Sequence, residues 1–179
     1  METKVKSNQI TDVHDSALNE LFIEELQDMY SAEKQLINAL PEMAKNATSN
    51  ELRTAISNHL KETENHITRL EHVFDVVDTK TKEKKCDGMA GLIKEGNVIV
   101  NETEKGSITR DAGIISAAQK IEHYEIASYG TLKTMAEVLG YHEAVNLLDA
   151  TLQEEKYTNN LLTSIALKGV NESARKERG

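Results

Sequence analysis

The chain is poor in residues that break helices, form cross-links or fill a β-sandwich. It has one proline, nine glycines, no tryptophan and only 4% aromatic residues in a length of 179. So few helix breakers favour long, uninterrupted helices, and so little aromatic material argues against a β-sandwich. The single cysteine, Cys86, excludes an internal disulfide and suits a reducing compartment. A chain of this length can form one domain with a sizeable core.

Long apolar runs and an excess of positive charge are also missing. No apolar stretch approaches the roughly 20 residues that a membrane-spanning helix requires. The first residues, METKVKSNQITDVHDS, lack the apolar segment of a secretory signal. A net charge of −9 and a pI near 5.2 disfavour a nucleic-acid-binding surface. We therefore expect a cytoplasmic protein that binds neither nucleic acid nor membrane.

Apolar residues recur at helical spacing in four long segments, over residues 15–46, 48–78, 109–139 and 141–168. A weaker pattern over residues 87–100 predicts a short helix inside the long connection between the second and third segments. Two helix pairs joined by one long crossover predict an all-α, ferritin-like four-helix bundle over residues 15–169. Flexible segments are expected at 1–14 and 170–179. Pro41 is expected to kink or end the first helix near Leu40.

The third predicted helix carries charge on its apolar face. A helix advances roughly 100° per residue, so Glu122, Glu125 and Tyr129 lie within about 60° of one another. The same side carries the apolar residues Ile114, Ile115, Ala118, Ile121, Leu132 and Ala136. Two unpaired carboxylates on a dry face would each cost several kcal/mol. They therefore need protons, cationic partners or a metal ion.

The first and second helices offer similar residues on their inner faces. Glu33 lies in the middle of the apolar stripe of the first helix. Glu62 lies at the edge of the second stripe, one helical turn from both His59 and His66. The pattern favours Glu62 and His66 as ligands, and His59 as a packed residue that donates a hydrogen bond to Glu62.

The fourth helix adds one more carboxylate, Glu154 or Glu155, which flank its inner arc on opposite sides. The periodicity does not separate these two. Carboxylates on all four helices, together with imidazole, are typical of bundles that bind two iron or manganese ions, and zinc suits the same ligands. The alternative for each carboxylate is a buried pairing with a lysine, an arginine or a tyrosine hydroxyl.

Several segments resemble the ferritin-like YciF family of bacterial stress proteins. They are YSAEKQL at 30–36, HLKET at 59–63, GLI at 91–93, AAQKIEHYEIASYG at 117–130 and EEK at 154–156. The resemblance extends over about residues 17–168. It implies a rubrerythrin-like helical bundle, a homodimer and a centre of two metal ions, but it does not define a reaction.

The resemblance also implies ligands for that centre. It assigns Glu154 by matching the first glutamate of a Glu-x-x-His motif on the fourth helix. Two positions depart from the pattern. On the fourth helix Tyr157 replaces the histidine of the Glu-x-x-His motif. On the second helix His66 follows Glu62 by four residues rather than three, so Asn65 occupies the position expected for the histidine. The predicted metal ligands are Glu33, Glu62, His66, Glu122, Glu125 and Glu154.

Two iron ions are the expected cofactor, with manganese or zinc as alternatives. Such a centre would react with peroxide or oxygen in an oxidoreductase of peroxidase or ferroxidase type. One cysteine cannot build the cysteine-rich iron domain of rubrerythrin, so a separate electron donor would be needed. The alternatives are iron binding without turnover and a metal-free stress or interaction protein, the last motivated by Tyr157.

Overall fold

The structure, a computed structural model, describes residues 13–178, and α-helices make up most of this range. The bounds of the helices are α1 Ala17–Asn46, α2 Asn50–Val76, α3 Asp87–Glu102, α4 Ile108–Leu139, α5 His142–Ile165 and α6 Asn171–Ala174. A 3-10 turn precedes α1, and a π-helical turn joins α5 to α6. No strand occurs within residues 13–178. The flexible segment predicted at 1–14 lies almost entirely outside the described residues.

Serine side chains fix the starts of three long helices. The Oγ atoms of Ser16, Ser49 and Ser107 each accept a hydrogen bond from the backbone N–H three residues later. This satisfies one of the free donors that every helix start leaves open. At the other end of α4, Gly140 has φ 78°, a left-handed conformation that glycine adopts at low cost.

The first helix does not end at its proline. α1 continues beyond Pro41 to Asn46, so it does not end near Leu40 as the sequence suggested it could. Leu40 and Ala44, on either side of the proline, are buried in the core. Their burial stabilises the last turn although Pro41 cannot donate a backbone hydrogen bond.

Four helices close around a common core. α1 packs on α2 and α4, and α5 packs on the same two helices, so two hairpins form a four-sided bundle. α3 lies in the crossover and packs outside the bundle on α4 and α1, where it buries Met89. The predicted all-α, ferritin-like bundle with a short helix in its long crossover is confirmed. The core includes Phe22, Leu26, Leu36, Leu52, Leu70, Phe74, Ile114, Leu132 and Leu148.

The segment after α5 returns to the start of α4. The Glu177 carboxylate accepts hydrogen bonds from the backbone N–H groups of Ile108 and Thr109, at 2.7 and 2.8 Å. The flexibility expected of residues 170–179 stays a prediction, and residue 179 is outside the described range. Among the helices between residues 13 and 178, none combines the length and the apolar character needed to cross a membrane.

Candidate metal centre

Six ionisable side chains from all four bundle helices meet in the core. None is more than 3% exposed. α2 contributes two of them because they lie seven residues apart, two helical turns along the same face. The six are Glu33 on α1, His59 and His66 on α2, Glu122 and Glu125 on α4, and Glu155 on α5.

One half of this cluster comprises His59, Glu122, Glu125 and Glu155. One nitrogen or oxygen atom of each lies within 4.8 Å of the corresponding atoms of the others. His59 Nε2 is 3.5 Å from Glu122 Oε1 and 3.9 Å from Glu155 Oε2. Ligands bound about 2.0–2.2 Å from a shared ion would have separations of this order.

The other half comprises Glu33, His66 and Glu155. His66 Nδ1 is 2.9 Å from Glu155 Oε1 and 3.4 Å from Glu33 Oε1. Glu155 belongs to both halves, so its carboxylate lies where it could bridge two ions.

Nine buried nitrogen and oxygen atoms in this cluster have no hydrogen-bond partner. They are Glu33 Oε2, both nitrogens of His59, His66 Nδ1, Glu122 Oε2, and both oxygens of Glu125 and of Glu155. Each buried polar atom without a partner costs roughly 1–3 kcal/mol. A cation coordinated by these atoms would remove the penalty, so the donor set fits the expected metal ions.

Each histidine presents one nitrogen to the cluster and the other to a carboxylate further out. His66 Nε2 is 2.9 Å from Glu154 Oε2, while Arg69 Nη2 donates to the other Glu154 oxygen at 2.8 Å. His59 Nδ1 lies 3.5 Å from Glu62 Oε2. Histidines that bind metals are commonly oriented in this way, with the outer N–H directed at a carboxylate.

Neighbouring carboxylates raise the pKa of both histidines. Burial lowers the pKa of His59, but Glu122, Glu62 and Glu155 outweigh this effect and raise it to about 9. Burial lowers the pKa of His66 as well, and the nearby carboxylates of Glu154, Glu155 and Glu33 raise it to about 12. Without a metal, both side chains are therefore imidazolium ions near neutral pH.

The glutamates of the cluster and its rim differ in the direction of their pKa shifts. Burial raises the pKa of Glu122 and Glu125 well above the usual range, and neighbouring carboxylates add to the shift. Burial would also raise the pKa of Glu155, but His66 and His59 lower it overall. Hydrogen bonds from His66 and Arg69 lower the pKa of Glu154 to about 2.

Tyr129 contacts the same cluster from α4. Its side chain is fully buried and its hydroxyl donates a hydrogen bond to Glu33 Oε1. Burial raises its pKa well above 10, so the phenol keeps its proton and remains a donor. Tyr129 thereby fixes Glu33 Oε1, the oxygen that lies 3.4 Å from His66 Nδ1, while Glu33 Oε2 has no hydrogen-bond partner.

The structure brings together four of the six predicted ligands, namely Glu33, His66, Glu122 and Glu125. It does not bring Glu62 and Glu154 into the cluster, because the side chains of both are 36% exposed at its rim. On α5 the inner position belongs to Glu155, which is fully buried.

Sequence reasoning left His59 outside the ligand set, although it lies on the apolar stripe of α2. His59 places a second imidazole in the cluster, from α2 rather than from the fourth helix. Both substituted positions, Asn65 and Tyr157, point to solvent. Neither residue therefore occupies a ligand position.

Residues 17–175 match the family described as a domain of unknown function, DUF892. The chain belongs to this family. Protein YciF of Escherichia coli K12 is 51% identical to it over 159 residues, covering 88% of this chain and 95% of YciF. The family resemblance expected from the sequence is therefore confirmed.

Solved structures of relatives have the same architecture. The crystal structure of the E. coli stress protein YciF superposes with a TM-score of 0.83 at 48% identity, covering 87% of this chain and 98% of YciF. YcfI of Rhodopseudomonas palustris gives a TM-score of 0.80 at 37% identity, with 89% and 98% covered. A Xanthomonas campestris protein at 22% identity, TM-score 0.68 and coverage of 88% and 99%, shares the fold.

Proposed function

We propose that this protein binds two divalent metal ions, iron in the first place and manganese or zinc as alternatives, within the six-residue cluster. The observation that carries the proposal is the set of eight buried atoms without hydrogen-bond partners that remain when His59 Nδ1, which is directed at Glu62, is left out. Charge supports it as well, because two divalent cations balance the four carboxylates of Glu33, Glu122, Glu125 and Glu155.

The contacts suggest a role for each side chain. Glu155 would bridge the ions, since it belongs to both halves of the cluster. His59 would bind through Nε2 and His66 through Nδ1, because these nitrogens face the buried carboxylates of the cluster. Glu62 and Glu154, proposed as ligands from the sequence, would instead hold the outer N–H groups of the two imidazoles.

The reaction that such a pair supports best is reduction of a small oxidant. Two bound Fe(II) ions would each supply one electron, so that hydrogen peroxide with two protons gives two waters, or dioxygen with two protons gives hydrogen peroxide. Complete burial of the cluster limits the oxidant to a small molecule. A separate electron donor would return the ions to Fe(II), and the activity would be of peroxidase or ferroxidase type in stress defence.

A metal-free protein is the second candidate, and the electrostatics of the cluster support it. Two imidazolium ions at His59 and His66 face the ionised Glu155, while Glu122 and Glu125 take up protons. The cluster would then be a structural ion-pair network in a stress or interaction protein. A third candidate is a protein that binds iron in the cluster but catalyses no reaction.

Metal content measured on purified protein separates these functions. The protein is expressed with added iron, purified without chelator or nickel, and analysed by elemental mass spectrometry. The proposal expects about two ions per chain, as in other bundles of this type. Glu122→Ala should lower that number and the rate of peroxide consumption while the helical signal is kept. Absence of metal, even after anaerobic loading with Fe(II), would favour the metal-free protein.

We further propose a cytoplasmic homodimer. α3 offers one contact surface, since Val98 is 42% exposed and several neighbouring apolar residues are only partly buried. A dimer has twice the 19.9 kDa mass of the chain, which light scattering during size-exclusion chromatography measures directly. A particle many times larger would indicate a ferritin-like cage instead.

A further inference from the structure

Two carboxylates lie at the rim of the buried cluster, Glu62 of α2 and Glu154 of α5. The side chain of each is 36% exposed, and each lies against the outer nitrogen of one cluster histidine. A metal ion must cross this rim, because every member of the cluster is almost fully buried. Carboxylate oxygens bind iron, manganese and zinc, so both glutamates are of the right chemistry to bind an incoming ion first.

Arg69 occupies the Glu154 side of the rim. Its guanidinium donates a hydrogen bond to each oxygen of the Glu154 carboxylate, and its Nη1 also donates to Thr151 Oγ1 at 3.2 Å. Bidentate pairs of this kind are among the stronger hydrogen-bonded contacts in proteins. Both Glu154 oxygens are therefore engaged, and the positive charge of Arg69 repels a divalent cation that approaches them.

The Glu62 side has no such cation. Within residues 13–178, no lysine or arginine forms an ion pair with Glu62. Its Oε2 lies 3.5 Å from His59 Nδ1 and accepts a hydrogen bond from the Thr158 hydroxyl at 3.4 Å. Its Oε1 makes no hydrogen bond to any described residue, so this oxygen is left for an ion that arrives from solvent.

A small cavity lies next to Glu62 and the cluster. The two residues that contact Glu62 both line it, and so does Glu122 of the cluster. Two of its lining residues, His59 and Glu122, carry polar atoms without hydrogen-bond partners. Its volume is about 10 Å³, at the lower limit for one water. A divalent ion without its waters is smaller than a water molecule, so this polar space can admit it.

We propose that metal ions enter the cluster on the Glu62 side, with Glu62 as the first carboxylate to bind them, whereas Arg69 keeps the Glu154 side closed. The proposal rests on the metal centre proposed above and adds the route by which that centre is loaded. An ion held at Glu62 Oε1 would exchange its waters for cluster ligands one at a time. Glu122 and His59 Nε2 would be the first of these.

The rate of Co(II) uptake by the metal-free protein tests the route, because Co(II) coordination is followed by visible absorbance after rapid mixing. Glu62→Gln removes the charge but keeps an oxygen that can accept from His59, so uptake should slow about tenfold. Release should slow as well, so the affinity should fall far less than the uptake rate. Glu64→Gln removes the same charge from an exposed position on α2 and should take up Co(II) at the wild-type rate.

Changes on the Arg69 side should have different effects. Glu154→Gln should release Co(II) faster but take it up at the wild-type rate. Arg69→Met removes the cation from the second rim carboxylate and should restore fast uptake to Glu62→Gln.

A second pair of variants decides the question if Glu62→Gln does not fold. Thr158→Val keeps the side-chain volume but removes the hydroxyl beside Glu62, and should slow uptake. Thr151→Val makes the same change at a buried position of α5 beside Arg69, and should not.

The amount of metal bound and the rate of uptake test the two proposals separately. A protein that binds no Co(II) would overturn the metal centre and the entry route together. Binding of about two ions at a rate that Glu62→Gln leaves unchanged would overturn the entry route alone. Equal slowing of uptake by Glu62→Gln and Glu154→Gln would also overturn it.

Discussion

At the scale of single residues, Glu155 contributes most to the cluster. It is the only member of both candidate ion groups formed within residues 13–178, and both of its oxygens lack a hydrogen-bond partner. Its neighbour Glu154 is placed quite differently, half-buried and paired with Arg69 and His66. One step along α5 therefore separates the proposed bridging glutamate from the glutamate proposed to orient His66.

We expect Glu155→Gln and Glu154→Gln to differ sharply. A neutral amide at 155 cannot bridge two cations, so Glu155→Gln should bind one ion or none, while the metal-free form should lose stability because the buried imidazolium ions of His59 and His66 lose their ionised partner. Glu154→Gln keeps every inner ligand and should lower metal affinity by only about 10–100-fold. Elemental analysis and competition with a chelator measure both effects. Equal metal loss in the two variants would contradict the assignment of Glu155 as the bridge.

Tyr129→Phe tests the hydrogen bond that fixes Glu33. The change keeps the ring and removes one donor, so Glu33 Oε1 is left without its partner. We expect the metal-free protein to lose about 1–3 kcal/mol of unfolding free energy. Metal affinity should fall, while the number of ions stays the same. Urea unfolding and a zinc titration give the two values, and unchanged stability would show that the hydroxyl does not hold the carboxylate.

The register of α5 explains which part of the site the sequence could predict. Glu33, Glu122 and Glu125 lie near the centres of their stripes, so periodicity alone assigns them to the core. On α5, Leu147 with Leu161 and Leu148 with Leu162 give two equally good seven-residue series. Packing selects the second, since Leu148 and Leu162 are almost fully buried, and Glu155 lies midway between them. The family pattern had favoured Glu154.

At the scale of secondary structure, one carboxylate joins the two hairpins. Asp111, in the first turn of α4, is fully buried and accepts the backbone N–H groups of Thr48 and Ser49, at 2.6 and 2.7 Å. It therefore caps the start of α2 from another helix, where the helix dipole also favours negative charge. A partner 63 residues away leaves no mark on the local sequence pattern, so this contact could not be predicted from the segment itself.

Asp111→Ala should lower the free energy of unfolding of the bundle by a large amount for the loss of one polar side chain. Two backbone donors lose a charged acceptor, so we expect a loss of about 1.5–3 kcal/mol. Asp111→Asn keeps one acceptor oxygen and should lose less. Urea unfolding of the metal-free protein, with the metal content of the native form as a control, measures this. A change below the error of the experiment would mean that the turn after α1 is held by other contacts.

Most of the helices could be predicted from the sequence. Apolar spacing predicted four long helices and a crossover helix, and all five occur in the structure. The C-terminal end of α1 was harder to predict. Local sequence preferences end a helix near Pro41, whereas burial of Ala44 stabilises the helix as far as Asn46. Tertiary contacts of that kind cannot be seen in a single segment.

At the scale of the whole molecule, the cluster couples stability to pH. In the metal-free protein the pKa of His59 is raised from 6.5 to about 9, so its ion pairs contribute fully below pH 6.5 and are lost as pH rises through about 9. The raised pKa values of Glu122 and Glu125 act in the same direction, because these residues must give up buried protons as pH rises.

We therefore expect the melting temperature of the chelator-treated protein to fall as pH rises from about 6.5 to 9. Metal binding requires neutral imidazoles and ionised carboxylates, so the metal-loaded protein should show no such fall. Thermal unfolding of both forms across this range measures the contrast. Parallel curves would contradict the assignment of these residues as the metal ligands.

The division of the cluster between the two hairpins has a consequence during translation. The α1–α2 hairpin carries both histidines and Glu33, whereas the three remaining carboxylates follow the crossover on α4 and α5. A nascent chain released only as far as the crossover holds three of the six proposed ligands, and Glu155, the proposed bridge, emerges last. In the proposed centre, complete coordination of two ions would therefore follow synthesis of α5. Iron insertion would depend on the supply of metal to finished chains, and not on the speed of the ribosome.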